Sequence, residues 1–505
     1  MSGRPRRGCA SVLAFCFLLF PSTAFTLPVG DESFLDQARA LAKQAYQTPD
    51  LALPPPFAGL DYDAYRAIRP RAGRAAMLPI GEGFAADLLP PGLYFPHPVS
   101  IELPSAEGAF LRQRFAPDLF DFAPEYFGEI PERAPGAGFS GLRLRSSLNT
   151  EGVLDEVLVV QGASYFRAIG RAMAYGLSAR AVAIGTGGAQ AEEFPRFTQL
   201  RLHPPRRGSV RLEGVIDGPS LAGHFDMELR PGTDTEATIT VTLIPRRVIK
   251  DIGVAPLTSM FLKGPLRSAV SDDFRPRVHD SDLLLIENGA GEQVWRPLAN
   301  PATIQTSVFM DDGPAAFGLW QTPRDFAAYE DSEARYYDRP SARVVPEESW
   351  GEGSVVLVEI PTGDEFLDNI VTFWRPAQAL EPGHEYRFSY RLMWTRESPL
   401  AGLKTAIVQS RSGREHDQPG SRRYVVDFSG KAAALTPDLS SPDGATLGGL
   451  SQFLLPEGRG TRVTFLLTPG DRDSAELRLV LRDAAGVAAS PVWLYRWSRA
   501  RDGGV

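Results

Sequence analysis

The side chains in this sequence best suited to chemistry are carboxylates, and they concentrate between Asp272 and Trp374. One cluster is Arg275-Pro276-Arg277-Val278-His279-Asp280-Ser281-Asp282. If it enters a strand, the period of two puts Asp280 and Asp282 on one face and His279 and Ser281 on the other. A second cluster runs from Glu365 through Asp368 and Asn369 to Trp374, a turn with two carboxylates leading into an apolar strand. Between them, Glu333 to Pro340 supplies Tyr336, Tyr337, Arg335 and Arg339. Carboxylates from separate strands, set among Trp295, Tyr336, Trp350 and Trp374, are the parts that glycoside hydrolysis needs. One acid protonates the leaving oxygen, the other helps water attack, and aromatic rings stack on the apolar faces of sugars.

Two other readings stay open on the residues alone. His279, Asp280 and Asp282 carry donor atoms suited to a divalent cation, with further ligands to come from distant segments. Acidic residues in a Gly- and Pro-rich β protein also serve simply as turn and cap residues. Elsewhere, Gly185-Thr186-Gly187-Gly188 lacks the Lys and Ser/Thr of a phosphate-binding loop, and Ser164 and Ser178 lack a nucleophile-elbow context.

The elements that must position these groups are mostly strands. From Pro54 onward, short alternating or apolar runs are bounded by Gly, Pro, Asn and Asp, as in 142–148, 153–160, 209–215, 237–243, 283–286, 355–360, 370–374 and 386–394. This pattern predicts a large all-β sandwich. One amphipathic helix is expected over Glu32 to Tyr46, where Phe34, Leu35, Ala38, Leu41, Ala42 and Ala45 recur at helical spacing. Residues 395–405 read as a linker. The final 406–505, with strands near 423–428, 461–467, 475–481 and 492–497, read as an immunoglobulin-like sandwich without a disulfide.

Length and composition agree with this layout. The 505 residues are enough for two or three domains, and 48 glycines with 43 prolines imply many turns. Both cysteines, Cys9 and Cys16, precede residue 25. Arg4, Arg6 and Arg7, an apolar stretch to Phe20 and Ser22-Thr23-Ala24 form the pattern of a secretory signal peptide, 1–24. The apolar stretch is too short to span a bilayer, which takes roughly 20 residues, so an integral membrane protein is not expected. Cleavage after Ala24 takes the formal charge from −8 to about −11 and leaves no thiol, which excludes cysteine nucleophiles and zinc-thiolate sites. The acidic balance disfavours nucleic acid or an anionic membrane surface as partner and suits a neutral or cationic ligand. No cofactor and no metal are expected.

Several longer stretches resemble a known family. They are Tyr165-Phe166-Arg167, Tyr175-Gly176-Leu177-Ser178-Ala179-Arg180, Glu192-Glu193-Phe194-Pro195, Ala255-Pro256-Leu257-Thr258-Ser259-Met260-Phe261, Arg275-Pro276 with His279-Asp280-Ser281-Asp282, Trp295-Arg296-Pro297-Leu298 and Asp368-Asn369-Ile370-Val371. In this order they resemble the periplasmic glucans biosynthesis proteins of types G and D, from about Phe34 to Trp394 and more weakly to the end. The resemblance implies a periplasmic protein with a galactose-mutarotase-like N-terminal sandwich over 25–394 and an immunoglobulin-like domain behind it. It implies work on β-1,2-glucan, as an inverting endo-glucanase or a transglycosylase, alongside membrane-associated biosynthetic enzymes. Asp368 matches the family's general acid. Asp280 matches its base, which reaches water through a substrate hydroxyl, and Tyr336 lies near that proton path. His279, Asp282, Arg339, Glu365, Trp295, Trp350 and Trp374 are expected on the substrate side.

The chain also departs from that family. Gln293 stands where Trp is common, Trp320-Gln321-Thr322-Pro323-Arg324 replaces Leu-Gln-Arg-Asp-Arg, and Ala342-Arg343 replace a Leu-Trp pair. These differences favour a rival reading, a non-catalytic scaffold that binds the nascent glucan and presents it. A mutarotase-like sugar epimerase is a third reading, resting on fold analogy alone.

Overall fold

The computed structural model describes residues 26–502 apart from 30–31, 51, 267–271, 400–401 and 431, so the expected signal peptide lies outside the described residues. The described residues are nearly all β. A 15-stranded and an 11-stranded sheet carry most strands, with a four-stranded sheet near the C-terminus. The two large sheets enclose one core, to which the strand Thr235–Pro245 shows the simplest contribution: Ala237, Ile239, Val241 and Leu243 point inward. The strand Ile370–Pro376 is buried on both faces. Ile370 and Trp374 enter the main core, while Val371 and Phe373 join Val356 and Val358 in a smaller cluster on the outer side. That double burial explains its unbroken apolar run.

The helix predicted over 32–46 is shorter, Phe34–Ala42. The Ser33 hydroxyl accepts from the Asp36 amide at its start. At its end, Arg246 donates to the carbonyls of Leu41 and Gln44, so the last turn is closed by a side chain from a neighbouring sheet strand's exit. The strands match their expected positions and extend one to three residues further at several ends, as at Gly141–Ser147, Glu352–Glu359 and Val492–Ser498.

After the strand Tyr386–Thr395, no strand forms among the described residues before Ile407–Arg414. Beyond it, the four-stranded sheet faces Thr436–Ser440, Ser474–Arg482 and Val492–Ser498 across a core of Tyr424, Phe465, Trp493 and Tyr495. The strand count is that of an immunoglobulin-like sandwich. Its second sheet is continuous with the large one: Val294 and Trp295 pair in parallel with Val492 and Trp493. Leu283, Leu285, Trp295 and Trp320 therefore share the C-terminal core.

Candidate functional site

Four segments converge on Asp280 and Asp368. The strand Val278–His279 ends at a bend, where the Asp280 amide donates to the Met260 carbonyl at 2.8 Å. The next strand begins only at Leu283, so the alternation expected through 279–282 is broken and the two aspartates diverge. Asp280 turns to Arg339, whose guanidinium donates to its carboxylate. Asp282 instead accepts from the Thr322 amide and hydroxyl at 2.9 and 3.1 Å. The two do not share a face.

Asp368 is placed by its neighbour. Asn369 is fully buried; its Oδ1 accepts from the Phe261 amide, and its Nδ2 donates to the Phe261 and Ile360 carbonyls. This locks the loop before Ile370–Pro376 onto Phe261–Lys263 and leaves the Asp368 carboxylate partly exposed, 3.8 Å from Arg167. Arg167 is itself held by a 2.7 Å bond to the Ser178 hydroxyl. Asp280 and Asp368 lie close enough for each charge to act on the other. Burial pushes Asp280 above the usual carboxylate range, Arg339 pulls it back, and Asp368 pushes it up further.

Tyr336 and Glu365 complete this wall. The Tyr336 hydroxyl donates to Glu365 at 2.6 Å, and Arg275 holds the same carboxylate oxygen at 2.7 Å while also bonding Asp273 and Asp331. The Arg339 guanidinium lies 4.2 Å from the centre of the Tyr336 ring, so one cation both clamps Asp280 and packs the tyrosine. Gly176 allows this approach, since a Cβ there would meet the Arg339 side chain at 2.9 Å.

His279 is a buried framing residue. Its ring stacks on Phe261 and meets Tyr329 edge-on. Gln321 donates through Nε2 to the carbonyls of His279 and Tyr336, so its Oε1 accepts from His279 Nδ1 at 2.7 Å. Burial drives the imidazole down to about 3, and it stays neutral at physiological pH. His279, Asp280 and Asp282 thus face three different partners and do not converge on a cation. Among the described residues, no group of three or more His, Cys, Asp or Glu is arranged for a metal.

The three expected tryptophans do not join the carboxylates, which corrects the stacking role read from the sequence. Trp374 is fully buried, beside Trp350, which packs edge-on against Phe388 and Tyr390 in the sandwich core. Gly353 makes room for it: a Cβ there would meet the Trp374 ring at 2.4 Å. Trp295 sits in the C-terminal core, at the edge of a different cavity. Trp374→Ala is therefore expected to cost about 3–5 kcal/mol of stability, read by urea denaturation, with glucan affinity of the folded fraction unchanged. A large affinity loss at unchanged stability would return Trp374 to the ligand.

Aromatic rings do line a cavity beside Asp368, from residues missed in the sequence. A cavity of about 700 Å³ is lined by Tyr94, Tyr165, Tyr175 and Phe194 with Arg143 and Arg167, and Arg167 links its wall to the Asp368 carboxylate 3.8 Å away. Burial pushes Tyr165 up to about 12, and Asp368 adds to this. Tyr94 and Phe194 are exposed, as ligand platforms must be. The signal was the i, i+2 pair Tyr165 and Arg167 on one strand face, inside a stretch read only as a motif.

The departures from the family pattern lie elsewhere. Ala342 is buried in the core, and Arg343 pairs with Glu287 at 2.6 Å. Gln293 lines a surface recess beside Lys404 and Ala488. Trp320 packs in the C-terminal core. Thr322 holds Asp282.

Asp282 carries a pH dependence of its own. Burial pushes it up to about 6 from 3.8, against the opposing pull of Arg277 and Thr322. A carboxyl raised on folding stabilises fully below its unfolded pKa, and that contribution is lost as pH rises through the folded value. On the order of 3 kcal/mol is expected to disappear between about pH 4 and pH 7. Asp282→Asn is expected to flatten that part of the stability–pH curve, measured as chemical denaturation midpoints from about pH 4 to pH 8. Parallel curves for variant and wild type would refute this.

Fold and site define an all-β, double-sandwich protein with an arginine-clamped carboxylate pair at the end of an aromatic cleft. The chain belongs to the family described as periplasmic glucan biosynthesis protein, MdoG, whose model matches residues 31–497. It is 40% identical over 472 residues to glucans biosynthesis protein G of Vibrio cholerae serotype O1, covering 91% of this chain and 85% of that one. It is 39% identical over 481 residues to glucans biosynthesis protein G 1 of Shewanella oneidensis, covering 92% and 86%. A solved galactose mutarotase related enzyme from Lactobacillus acidophilus aligns with 48% of this chain and 99% of its own, at 8% identity and a TM-score of 0.22. No helix among the described residues is long and apolar enough to cross a membrane.

Proposed function

We propose that this chain is exported by its signal peptide 1–24 to the periplasm and there cleaves or transfers β-1,2-glucan with inversion. Asp368 is the general acid and Asp280 the general base. The carrying observation is the pair itself: a partly exposed carboxylate beside Arg167, which also lines the aromatic cavity, and a buried, arginine-clamped one that the first carboxylate's charge reaches. In the reaction, the bond between C1 and the glycosidic oxygen breaks as that oxygen takes the Asp368 proton. A water forms the new bond to C1 from the opposite face. Its proton passes through a substrate hydroxyl to Asp280, and the product is the α-anomer. In transfer, a sugar hydroxyl replaces the water.

Arg339 favours the ionised form of Asp280 against its burial and packs Tyr336 beside the proton path. Tyr94 and Phe194 offer faces for glucose rings, and Arg143 and Arg167 offer donors for hydroxyls. The glucan arrives from membrane-associated biosynthetic enzymes, which are the partners of this reading. The test is incubation of the mature chain with linear β-1,2-glucan, following products by chromatography and their first-formed anomer by NMR. Tight binding with no cleavage or rearrangement over long incubation would assign the chain to a scaffold role instead.

A further inference from the structure

The junction of the two sandwiches holds a second cavity, of about 610 Å³, lined by Asp282 and Leu283 just after Asp280. This is within the roughly 300–1,000 Å³ of small-ligand pockets. Its walls come from the large sandwich, from the connection after Thr395 and from the strand Ile407–Arg414, so it exists only when both sandwiches are docked. Phe261, Trp295 and Leu298 supply apolar surface; Arg277, Asp282 and Gln409 supply polar groups.

The polar groups select the ligand. Arg277 makes no hydrogen bond or ion pair among the described residues, although its charge reaches the half-buried Asp282 carboxylate. A donor fork and an acceptor therefore face the same space without satisfying each other. The other cations of the wall are committed. Arg324 donates to the Arg339 carbonyl and the Ser341 hydroxyl, and Arg396 donates to Asp338 at 2.8 Å. With Asp282 and Glu397 in the lining, an anion would meet two carboxylates for one uncommitted cation, and a cation would meet Arg277. A neutral molecule with vicinal hydroxyls and an apolar face satisfies both groups and the aromatic wall.

We propose that this junction cavity is a second, non-catalytic saccharide site, which takes a short glucan end while the cleft acts on the chain. The choice of glucan as ligand rests on the proposed function; the site itself does not. Gln321 forms the shared wall, bonding His279 and Tyr336 on the cleft side while lining the cavity on the other.

The test uses the full mature chain carrying Asp368→Asn, to prevent turnover, titrated calorimetrically with sophorose, the β-1,2-linked glucose disaccharide. Two binding events are expected. Arg277→Met is expected to weaken one about tenfold, the equivalent of losing one or two ligand hydrogen bonds. Gln409→Trp, which fills the cavity from the opposite wall, is expected to abolish the same event. Tyr165→Ala is expected to remove only the other. Thermal melting of each variant confirms that it folds. Sophorose binding unchanged by both Arg277→Met and Gln409→Trp, or no binding outside the cleft, overturns the proposal. Junction binding in a wild-type chain that turns over no glucan upholds it and overturns the catalytic reading alone.

Discussion

Asp368→Asn is expected to lower turnover of linear β-1,2-glucan by roughly 10²–10⁴-fold, the usual contribution of a positioned general acid, while glucan binding stays within about threefold. Asparagine keeps the size of the side chain and takes away its transferable proton. Because Asp368 is partly exposed and its ion-pair partner among the described residues, Arg167, lies 3.8 Å away, the fold has little at stake in its charge. A thermal midpoint near that of the wild type is the accompanying result. The loss should depend on the leaving group: an aryl glycoside whose phenolate departs unprotonated needs no acid, so the variant should retain most of its rate on such a substrate. Equal losses on both substrates would mean that Asp368 orients substrate rather than protonating it. An unchanged rate on glucan would move the acid elsewhere. Glu365 is the next carboxylate, but its Oε2 already accepts from Tyr336 and Arg275.

Much of this arrangement could be read from single segments. The strands declared themselves because apolar runs such as 355–360 and 370–374 are punctuated by turn residues, and the Asp280 and Asp368 clusters stood out as polar residues beside such runs. What stayed hidden depends on the direction of a side chain. The run Ile370-Val371-Thr372-Phe373-Trp374 is buried at every position, with one polar residue among four apolar ones, the mark of a strand buried on both faces, so Trp374 had no face left for a sugar. A single bend at Asp280 broke the expected pairing with Asp282 and sent the two carboxylates to different partners, Arg339 and Thr322. Long-range partners were equally invisible. Arg339 reaches Asp280 across 59 positions, and Arg167 reaches Asp368 across about two hundred, because Asp280, Arg339 and Asp368 sit in loops that the sheets bring together from distant parts of the chain.

The pH profile offers the sharpest separation of roles at Asp280. Removal of the carboxylate in Asp280→Asn is expected to cost roughly 10²–10⁴-fold in turnover, but a buried residue bonded to Arg339 could produce such a loss through misfolding alone. The position of the acidic limb of the rate profile is not open to that ambiguity. A base must be ionised, so activity falls as pH drops through its pKa, and burial together with Asp368 places that pKa above the usual carboxylate value. Arg339 opposes the shift with a direct charge-assisted bond. Arg339→Gln removes the opposing charge, so the limb should move to higher pH, with rates recovering as the pH is raised. Asp368→Asn removes the neighbouring negative charge, so the limb of its residual activity should move to lower pH. Each displacement is read by comparing whole profiles rather than single rates. A purely structural role for Arg339 would depress the rate evenly at every pH and leave the limb where it was. Opposite displacements in the two variants require that the ionisation controlling the rate sits between Arg339 and Asp368, the position that Asp280 occupies.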